Sequence, residues 1–140
     1  MTKVKLRKLK GGRKTTIQFR ENKAIGKTVG MAKLPGGRTI RIIKGKILAR
    51  GEKPVRFQGK RFPITQDRGF YDPKRRLIAL GRNASKPTLA HELGHAVDHL
   101  LHPRKVSNAY RNFNPSRRQF LAIENGAEKQ RKKLRIVGRI

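Results

Sequence analysis

The feature that most constrains this chain is its charge. Among 140 residues, 37 are Lys or Arg and only 8 are Asp or Glu, which gives a formal net charge of +29. A chain so basic repels itself unless anions surround it. Nucleic acid is the anion that fits best, because Lys and Arg that neutralise phosphates release condensed counterions without reading any sequence. We therefore expect non-specific binding to DNA or RNA.

The apolar content allows a modest core. Leu, Ile, Val and Phe make up a quarter of the chain, which exceeds the level at which a highly charged chain is expected to stay disordered. The length suits one domain. The absence of Cys excludes disulfides, thiolate metal sites and Cys nucleophiles. Neither a secretion signal nor an 18-residue apolar run is found, so we expect a cytoplasmic or virion-associated protein without a membrane partner.

The first 14 residues form a strongly basic segment that ends in two glycines and two further cations. We interpret residues 1–14 as a flexible basic arm. Its cations are the expected nucleic-acid contacts, namely Lys3, Lys5, Arg7, Lys8, Lys10, Arg13 and Lys14.

Residues 15–68 form a basic β-rich region. Short runs such as TTIQF, TIRIIKGKIL, PVRFQ and RFPI are separated by Gly and Pro, and Pro35-Gly36-Gly37 indicates a turn. In Thr39-Ile40-Arg41-Ile42 apolar and basic residues alternate. One face of the sheet should therefore be core and the other strongly positive.

The second half of the chain predicts a hairpin followed by two helices. Asp72-Pro73 marks a turn before the strand Leu77-Ile78-Ala79-Leu80, within a hairpin over residues 69–81. Apolar residues at helical spacing then predict a helix over 88–101, with Ser85 or Thr88 as a cap. After a basic loop, a second helix is expected from Ser116 to about Lys133, and the tail after it is uncertain.

All four histidines of the chain lie within the first of these helices or at its end. The segment contains His91-Glu92-Leu93-Gly94-His95, an H-E-x-x-H motif. Positions four apart share a helix face, so His91 and His95 can both bind one zinc ion at about 2.0–2.1 Å. Glu92 can reach the water that the metal activates without being a ligand, which suits a general base.

Two other interpretations of the histidines stay open. The helix could be a surface helix whose histidines merely pair with neighbours. His95 and His99, with Asp98 beside them, also loosely match the inverted H-x-x-E-H pattern. His99 is not expected to share an ion with His91, because eight residues of helix separate them by about 12 Å.

The third ligand should come from another segment, because a catalytic zinc takes three protein ligands and leaves one position open. Downstream, only Glu124 and Glu128 have a carboxylate side chain. We favour Glu124 as the ligand, with Glu128 as the runner-up or as a partner that orients a ligand. Either could instead be a surface acid that pairs with Lys or Arg.

The stretch from Gly69 to His99, GFYDPKRRLIALGRNASKPTLAHELGHAVDH, resembles the anthrax lethal factor-like metallopeptidases and their Pro-Pro endopeptidase relatives. The resemblance covers about 30 residues. It implies an α+β fold in which residues 69–140 form a zincin-like core, with a strand before the active-site helix and a downstream glutamate ligand. It also implies that Asp98 is a structural residue and that Leu77, Ile78, Ala79 and Leu80 form the edge strand that pairs with substrate.

The resemblance further implies a tyrosine that stabilises the oxyanion, and here the match departs from the family pattern. Tyr110 lies further before Glu124 than the family spacing suggests, although it remains the candidate because Tyr71 precedes the helix. An arginine could donate instead. In related helices an acid stands at the position of Arg117, so its absence leaves full activity in question.

These patterns predict a zinc-dependent endopeptidase of the gluzincin type that associates with nucleic acid. The first alternative is a basic nucleic-acid-binding or virion-associated protein in which the zincin helix is structural or inactive. A lower alternative is a delivered protease effector or toxin.

Overall fold

A computed structural model describes residues 2–19, 22–49, 55–57, 60–62, 67–111 and 116–140. Its strands are β1 (Thr2–Lys8), β2 (Thr15–Phe19), β3 (Asn22–Lys33), β4 (Thr39–Ala49), β5 (Val55–Phe57), β6 (Lys60–Phe62), β7 (Gly69–Asp72), β8 (Leu77–Gly81) and β9 (Leu134–Val137). Its helices are α1 (Lys86–Leu101), α2 (Pro103–Arg111) and α3 (Arg117–Lys133), with a 3-10 turn at Pro35–Gly37. The expected α+β class is confirmed.

Within the described residues, seven strands form one sheet in the order β7-β8-β4-β3-β1-β9, with β2 paired to the other half of β3. β1 pairs with β9, and β4 with β8, in parallel, whereas the other pairs are antiparallel. β5 and β6 form a separate ribbon. The basic N-terminal strands and the strands after residue 69 therefore share one sheet.

The alternating pattern predicted one apolar and one positive face, and this holds for only part of the sheet. On the face opposite α1, Ile43, Leu77 and Ala79 belong to a second buried apolar cluster, whereas β1 and the start of β4 follow the prediction. Ile40 and Ile42 are buried in the core that α1 covers, while Arg41 between them is exposed. Val4 of β1 is buried in the same core, and its neighbours Lys3 and Lys5 are exposed. Because side chains alternate along a strand, the cations lie on the sheet face opposite α1.

Helix α1 begins and packs as its sequence predicts. The Ser85 hydroxyl caps the helix by accepting a hydrogen bond from the Thr88 N–H, and Pro87 lies in the first turn, where its missing N–H costs nothing. Leu89, Leu93, Ala96 and Val97 then pack on the sheet. This packing fixes the position of α1 over β7 and β8.

Helix α3 crosses α1 at unusually close range. It begins at a capping box in which Ser116 and Gln119 bond each other's backbone N–H groups. At the crossing, a Cβ on Gly94 would lie 2.3 Å from the carbonyl oxygen of Ala127. Only glycine at position 94 lets the two backbones approach this closely.

Four segments differ from the expectations. Residues 2–8 of the expected flexible arm are the strand β1, held between β3 and β9. The expected basic loop contains α2, which begins at Pro103 because proline fits the first turn of a helix. The long strand β3 was not predicted, since Gly26 and Gly30 interrupt its apolar pattern, and the uncertain tail contains β9.

The strand Leu77–Leu80 was expected at a sheet edge, and this is wrong. β8 lies between β7 and β4 and is buried along its whole length. β7 is the strand at that end of the sheet. Among the described residues, no helix combines the length and the apolar character needed to cross a membrane.

We predict that Gly94→Ala destabilises the protein by about 1–2 kcal/mol. The added methyl group would meet the backbone carbonyl of Ala127 and push α1 and α3 apart. We place its cost in the upper part of the range for overpacking, about 2–3 kcal/mol, against a gain of about 1 kcal/mol in helix propensity. Urea unfolding followed by circular dichroism measures the change. Gly12→Ala is the control, because a Cβ there meets nothing within 4 Å. Equal stability of the Gly94 variant and wild type would contradict the close crossing.

Candidate metal and catalytic site

The two motif histidines lie together on the face of α1 that α3 covers. Their ring centroids are 4.8 Å apart and their planes are nearly perpendicular. His91, Glu92 and His95 each offer one donor atom, and the three atoms lie within 4.8 Å of one another. The helical spacing thus brings both imidazoles to one point, as the motif predicts.

Glu124 of α3 lies against both imidazoles. Its Oε2 atom is 3.0 Å from Nε2 of His91, and its Oε1 atom is 3.3 Å from Nε2 of His95. The close crossing at Gly94 allows this, because it brings the α3 backbone near enough for a glutamate side chain to reach α1. The structure therefore brings together the three residues expected to be ligands.

This donor set fits a zinc ion. In a tetrahedral site with bonds of 2.0–2.1 Å, neighbouring ligand atoms lie about 3.3 Å apart. The Glu124 Oε2 atom lies 3.0 Å from Nε2 of His91 and the Oε1 atom lies 3.3 Å from Nε2 of His95, so each carboxylate oxygen is near that distance from one imidazole nitrogen. Two imidazole nitrogens with one carboxylate also match the ligand types of catalytic zinc.

Glu128 contacts the opposite side of the His91 ring. Its Oε1 atom is 2.7 Å from Nδ1 of His91, and its Oε2 atom accepts hydrogen bonds from the Arg131 guanidinium. A carboxylate in this position fixes the tautomer and the orientation of a histidine ligand. The structure thus places Glu128 beside the Nδ1 side of His91, whereas Glu124 lies at the Nε2 atoms of both histidines.

The charges of these groups reinforce one another in the metal-free protein. The hydrogen bond that His91 donates to Glu124, more than the one to Glu128, raises the pKa of His91 to about 9. The hydrogen bonds with His91 and His95 lower the pKa of Glu124 to about 2. The pKa of Glu128 also falls to about 2, mainly through Arg131 and secondly through His91. These shifts favour a positively charged His91 ring between two negatively charged carboxylates.

Glu92 differs from these acids because it is buried. Only 6% of its surface is exposed, and burial raises the pKa of its carboxyl. It packs against Gly69 of β7, where a Cβ would lie 3.4 Å from the Glu92 Cγ atom and 2.8 Å from the Ala79 carbonyl oxygen. A carboxylate in so dry a position is a stronger base than an exposed one.

The site opens into a cleft of about 1060 Å³ between β7, α1 and α3. One wall is aromatic: Phe19 stacks on Phe70 at 6.1 Å and meets the edge of Tyr110 at 5.5 Å, and Phe120 also lines the cleft with half of its surface exposed. No pattern in the sequence pointed to this wall. Its members are distant along the chain, and only the topology brings them together.

The two tyrosines lie in different surroundings. The Tyr71 hydroxyl is 2.8 Å from Nδ1 of His99, and burial raises the pKa of Tyr71 to about 12. Burial also lowers the pKa of His99, so this is a neutral buried pair. Tyr110 is half-buried on α2 and lines the cleft, as does Arg117 of α3.

Asp98 lies at the junction of the three helices, away from solvent. Its side chain is 2% exposed and lies 2.8 Å from the Lys105 ammonium of α2. A Cβ on Gly126 of α3 would come within 2.4 Å of its Oδ2 atom. This position suits a structural residue that ties α1 to α2 beneath α3.

Comparison of the chain with protein-family models, curated proteins and solved structures found no match. The function is therefore inferred from the geometry and chemistry of the cleft.

We predict that the carboxylates around His91 stabilise the metal-free protein within a defined pH window. Because the pKa of His91 is raised, its charged form stabilises the fold fully below pH 6.5. This stabilisation is lost as pH rises through about 9. Because the pKa values of Glu124 and Glu128 are lowered, their ionised forms stabilise the fold fully above pH 4.5. This stabilisation is lost as pH falls through about 2. Both contributions are complete between pH 4.5 and 6.5.

Urea unfolding with a chelator present, repeated across pH, measures this window. The buried Glu92 carboxyl also makes stability depend on pH, so the informative quantity is the difference between wild type and Glu124→Gln. That difference should be largest between pH 4.5 and 6.5 and should shrink on either side. A difference independent of pH would contradict the pairing of Glu124 with a charged His91.

Proposed function

We propose that this protein is a zinc-dependent endopeptidase. The observation that carries the proposal is the Glu124 carboxylate, which lies between the Nε2 atoms of His91 and His95 at 3.0 Å and 3.3 Å. Two histidines from one helix and a glutamate from another form a gluzincin ligand set. The buried Glu92 beside them, at the wall of an open cleft, supplies the base that such a site needs.

The arrangement around the site supports a zincin-like core made of the β7-β8 hairpin, α1 and α3. The hairpin precedes the helix that carries the histidines, and α3 brings the glutamate to it. This is the arrangement implied by the resemblance of residues 69–99 to the lethal factor-like metallopeptidases.

The ion would supply one part of the chemistry, and the side chains of the protein would supply the other. Zinc bound by His91, His95 and Glu124 would polarise the scissile carbonyl and lower the pKa of water to about 7. Glu92 accepts the proton of the attacking water and passes it to the leaving amine. Glu128 holds the His91 ring in place by accepting the Nδ1 proton.

An extended substrate would pair with β7 rather than with β8. The Gly81 N–H donates to the Arg68 carbonyl, so Arg68 and Phe70 point their backbone groups toward β8. Alternation then directs the backbone groups of Gly69 and Tyr71 away from β8. Since β7 lines the cleft, these groups are placed to bond a peptide by strand addition. The aromatic wall favours a large apolar substrate side chain.

We propose Tyr110 as the donor to the oxyanion, with Arg117 as the second candidate. Both line the cleft from elements other than the one that carries the histidines, Tyr110 from α2 and Arg117 from α3. One correctly placed donor of this kind contributes about 100-fold or more to the rate.

Glu124 and Glu128 should differ in their effect on zinc affinity. Glu124→Gln removes a charged ligand, so we predict that it lowers the zinc affinity more than Glu128→Gln does. Glu128→Gln removes only the group that orients His91, which typically costs about 10–100-fold. Competition with a chromophoric chelator measures both affinities.

The control for this pair is Asn125→Ala, an exposed position on the same helix, which should bind zinc as wild type does. A loss at Glu128 equal to or greater than that at Glu124 would reverse their roles. Unchanged affinity in both variants would exclude α3 from the metal site.

Glu92→Gln should retain zinc yet lose proteolysis. The amide fills the same space but cannot accept the proton of water, so cleavage should fall by about 10²–10⁴-fold. A mixture of unfolded proteins serves as substrate, and chelator-sensitive new N-termini are counted by mass spectrometry. Asn125→Ala again serves as the control. Full activity of Glu92→Gln would remove this residue from the mechanism.

The charge of +29 supports a second candidate function, a nucleic-acid-binding or virion-associated protein whose zinc site is inactive. The two candidates give different outcomes in the same experiment. Stoichiometric zinc with no cleavage of any protein by wild type favours the second. We propose association with nucleic acid in both cases.

A further inference from the structure

The topology gathers cations that are distant in the sequence onto one face of the sheet. Lys3 of β1 lies opposite Arg135 of β9, and Lys5 of β1 lies opposite Lys33 of β3. Arg7 of β1 and Arg41 of β4 both lie opposite Met31, one on each side of it. We call the resulting surface the basic face, and it consists of Lys3, Lys5, Arg7, Lys33, Arg41 and Arg135.

All six side chains are exposed, and the side-chain alternation directs them away from α1. Val4, Ala32 and Ile40 occupy the intervening positions of the same strands and are buried in the core beneath α1. The segments that contribute the basic face, residues 2–8, 22–48 and 134–137, contain no Asp or Glu. No acid within these strands offsets the six charges.

This arrangement is unfavourable for the isolated protein. Like charges directly opposite each other across two strands are destabilising, and two such pairs occur here, Lys3 with Arg135 and Lys5 with Lys33. An external anion with regularly spaced charges would relieve the repulsion. The basic face is therefore a surface whose own electrostatics favour a bound polyanion.

We propose that the basic face is a docking surface for the phosphate backbone of double-stranded nucleic acid. Its four strands, spaced about 4.8 Å apart, span about 14 Å. Duplex DNA presents about eight charges over that length, of which about half face the protein, so six cations are enough to neutralise them.

Two observations favour a duplex over other anions. The strand segments of the basic face contain no aromatic residue, whereas single-strand binding surfaces stack bases on aromatic side chains. A membrane surface would call for several apolar side chains that insert between lipids. Beside the six cations, Val137 opposite Lys5 is 37% exposed, and these strands contain no aromatic residue.

The basic face is separate from the proposed peptidase site. β7, which lines the cleft, lies at one end of the sheet order, and β1 and β9 lie at the other. None of the six cations lines the cleft. The cations and the cleft residues are thus different sets, and substitutions at the cations can be tested without changing the cleft.

The test compares two variants of equal charge in the full chain. In the face variant, Lys3, Lys5, Lys33 and Arg135 are changed to Gln. In the control variant, the exposed cations Arg82, Lys86, Arg104 and Lys129 are changed to Gln. Binding to a fluorescent 20-base-pair DNA is measured by anisotropy at several salt concentrations.

We expect the slope of log affinity against log salt to become shallower by up to about 3.6 in the face variant, at about 0.9 for each phosphate that is no longer neutralised. The affinity at physiological salt should fall at least about tenfold. The control variant should change the slope by less than about 1. Zinc binding should be equal in all three proteins, which keeps this result distinct from the peptidase proposal.

Folding of each variant is checked by thermal melting. The face variant should melt at or above the wild-type temperature at low salt, because two like-charge pairs are removed. Duplex DNA should raise the melting temperature of wild type more than that of the face variant. Should the fourfold variant fail to fold, Lys5→Gln with Lys33→Gln alone should make the slope shallower by up to about 1.8.

Three results would overturn the proposal. Equal losses of DNA affinity in the face and control variants would show that binding depends on the total charge and not on this surface. Tighter binding of a single-stranded 20-mer than of the duplex would exclude backbone docking of a duplex. Face-dependent binding to vesicles of anionic phospholipid, with DNA binding unchanged, would assign the surface to a membrane.

Discussion

The close crossing of α1 and α3 at Gly94 is the contact on which the functional site depends. A zincin-type helix by itself offers two imidazoles and a base, and the remaining donor must come from a separate element. Because Gly94 has no side chain, Ala127 of α3 approaches the α1 backbone directly, and Glu124 then lies one turn away at the two Nε2 atoms. The glycine of the HELGH segment is thus as important to the site as its histidines.

Charge is distributed across the molecule in a way that serves both proposed roles. Most of the described acids have a structural or chemical role. Glu92, Glu124 and Glu128 surround the site, Asp98 joins three helices, and Asp72 closes the hairpin turn by accepting from Arg75. The far end of the sheet has cations and no acids in its strands. The residues of the proposed peptidase site and those of the proposed nucleic-acid surface are therefore different sets.

Sequence patterns among neighbouring residues predicted two helices and the hairpin. The features that were not predicted depend on contacts between segments distant in the sequence. The capping residues Ser85 and Ser116, the apolar spacing of α1 and the Asp72-Pro73 turn depend on neighbours in sequence, so both helices and the hairpin were predicted. Glu124 could be named because acids are so few. Pairings between distant segments determine the position of β8 inside the sheet, the incorporation of β1 into the sheet, and the aromatic wall around Phe19. No local sequence pattern encodes such pairings.

The pairing of β1 with β9 has a kinetic consequence. Thr2 lies opposite Leu134, and Leu134 directly follows the end of α3, so α3 is held in place by a contact between segments separated by nearly the whole described chain. Contacts of such long range close late, because the entropy of the intervening loop is lost before they form. The contact between α1 and α3 joins segments much closer in sequence, so by the same argument it can form before β1 pairs with β9. The N-terminal strand would then be added last, and its pairing with β9 would anchor the end of a helix that already lies against α1.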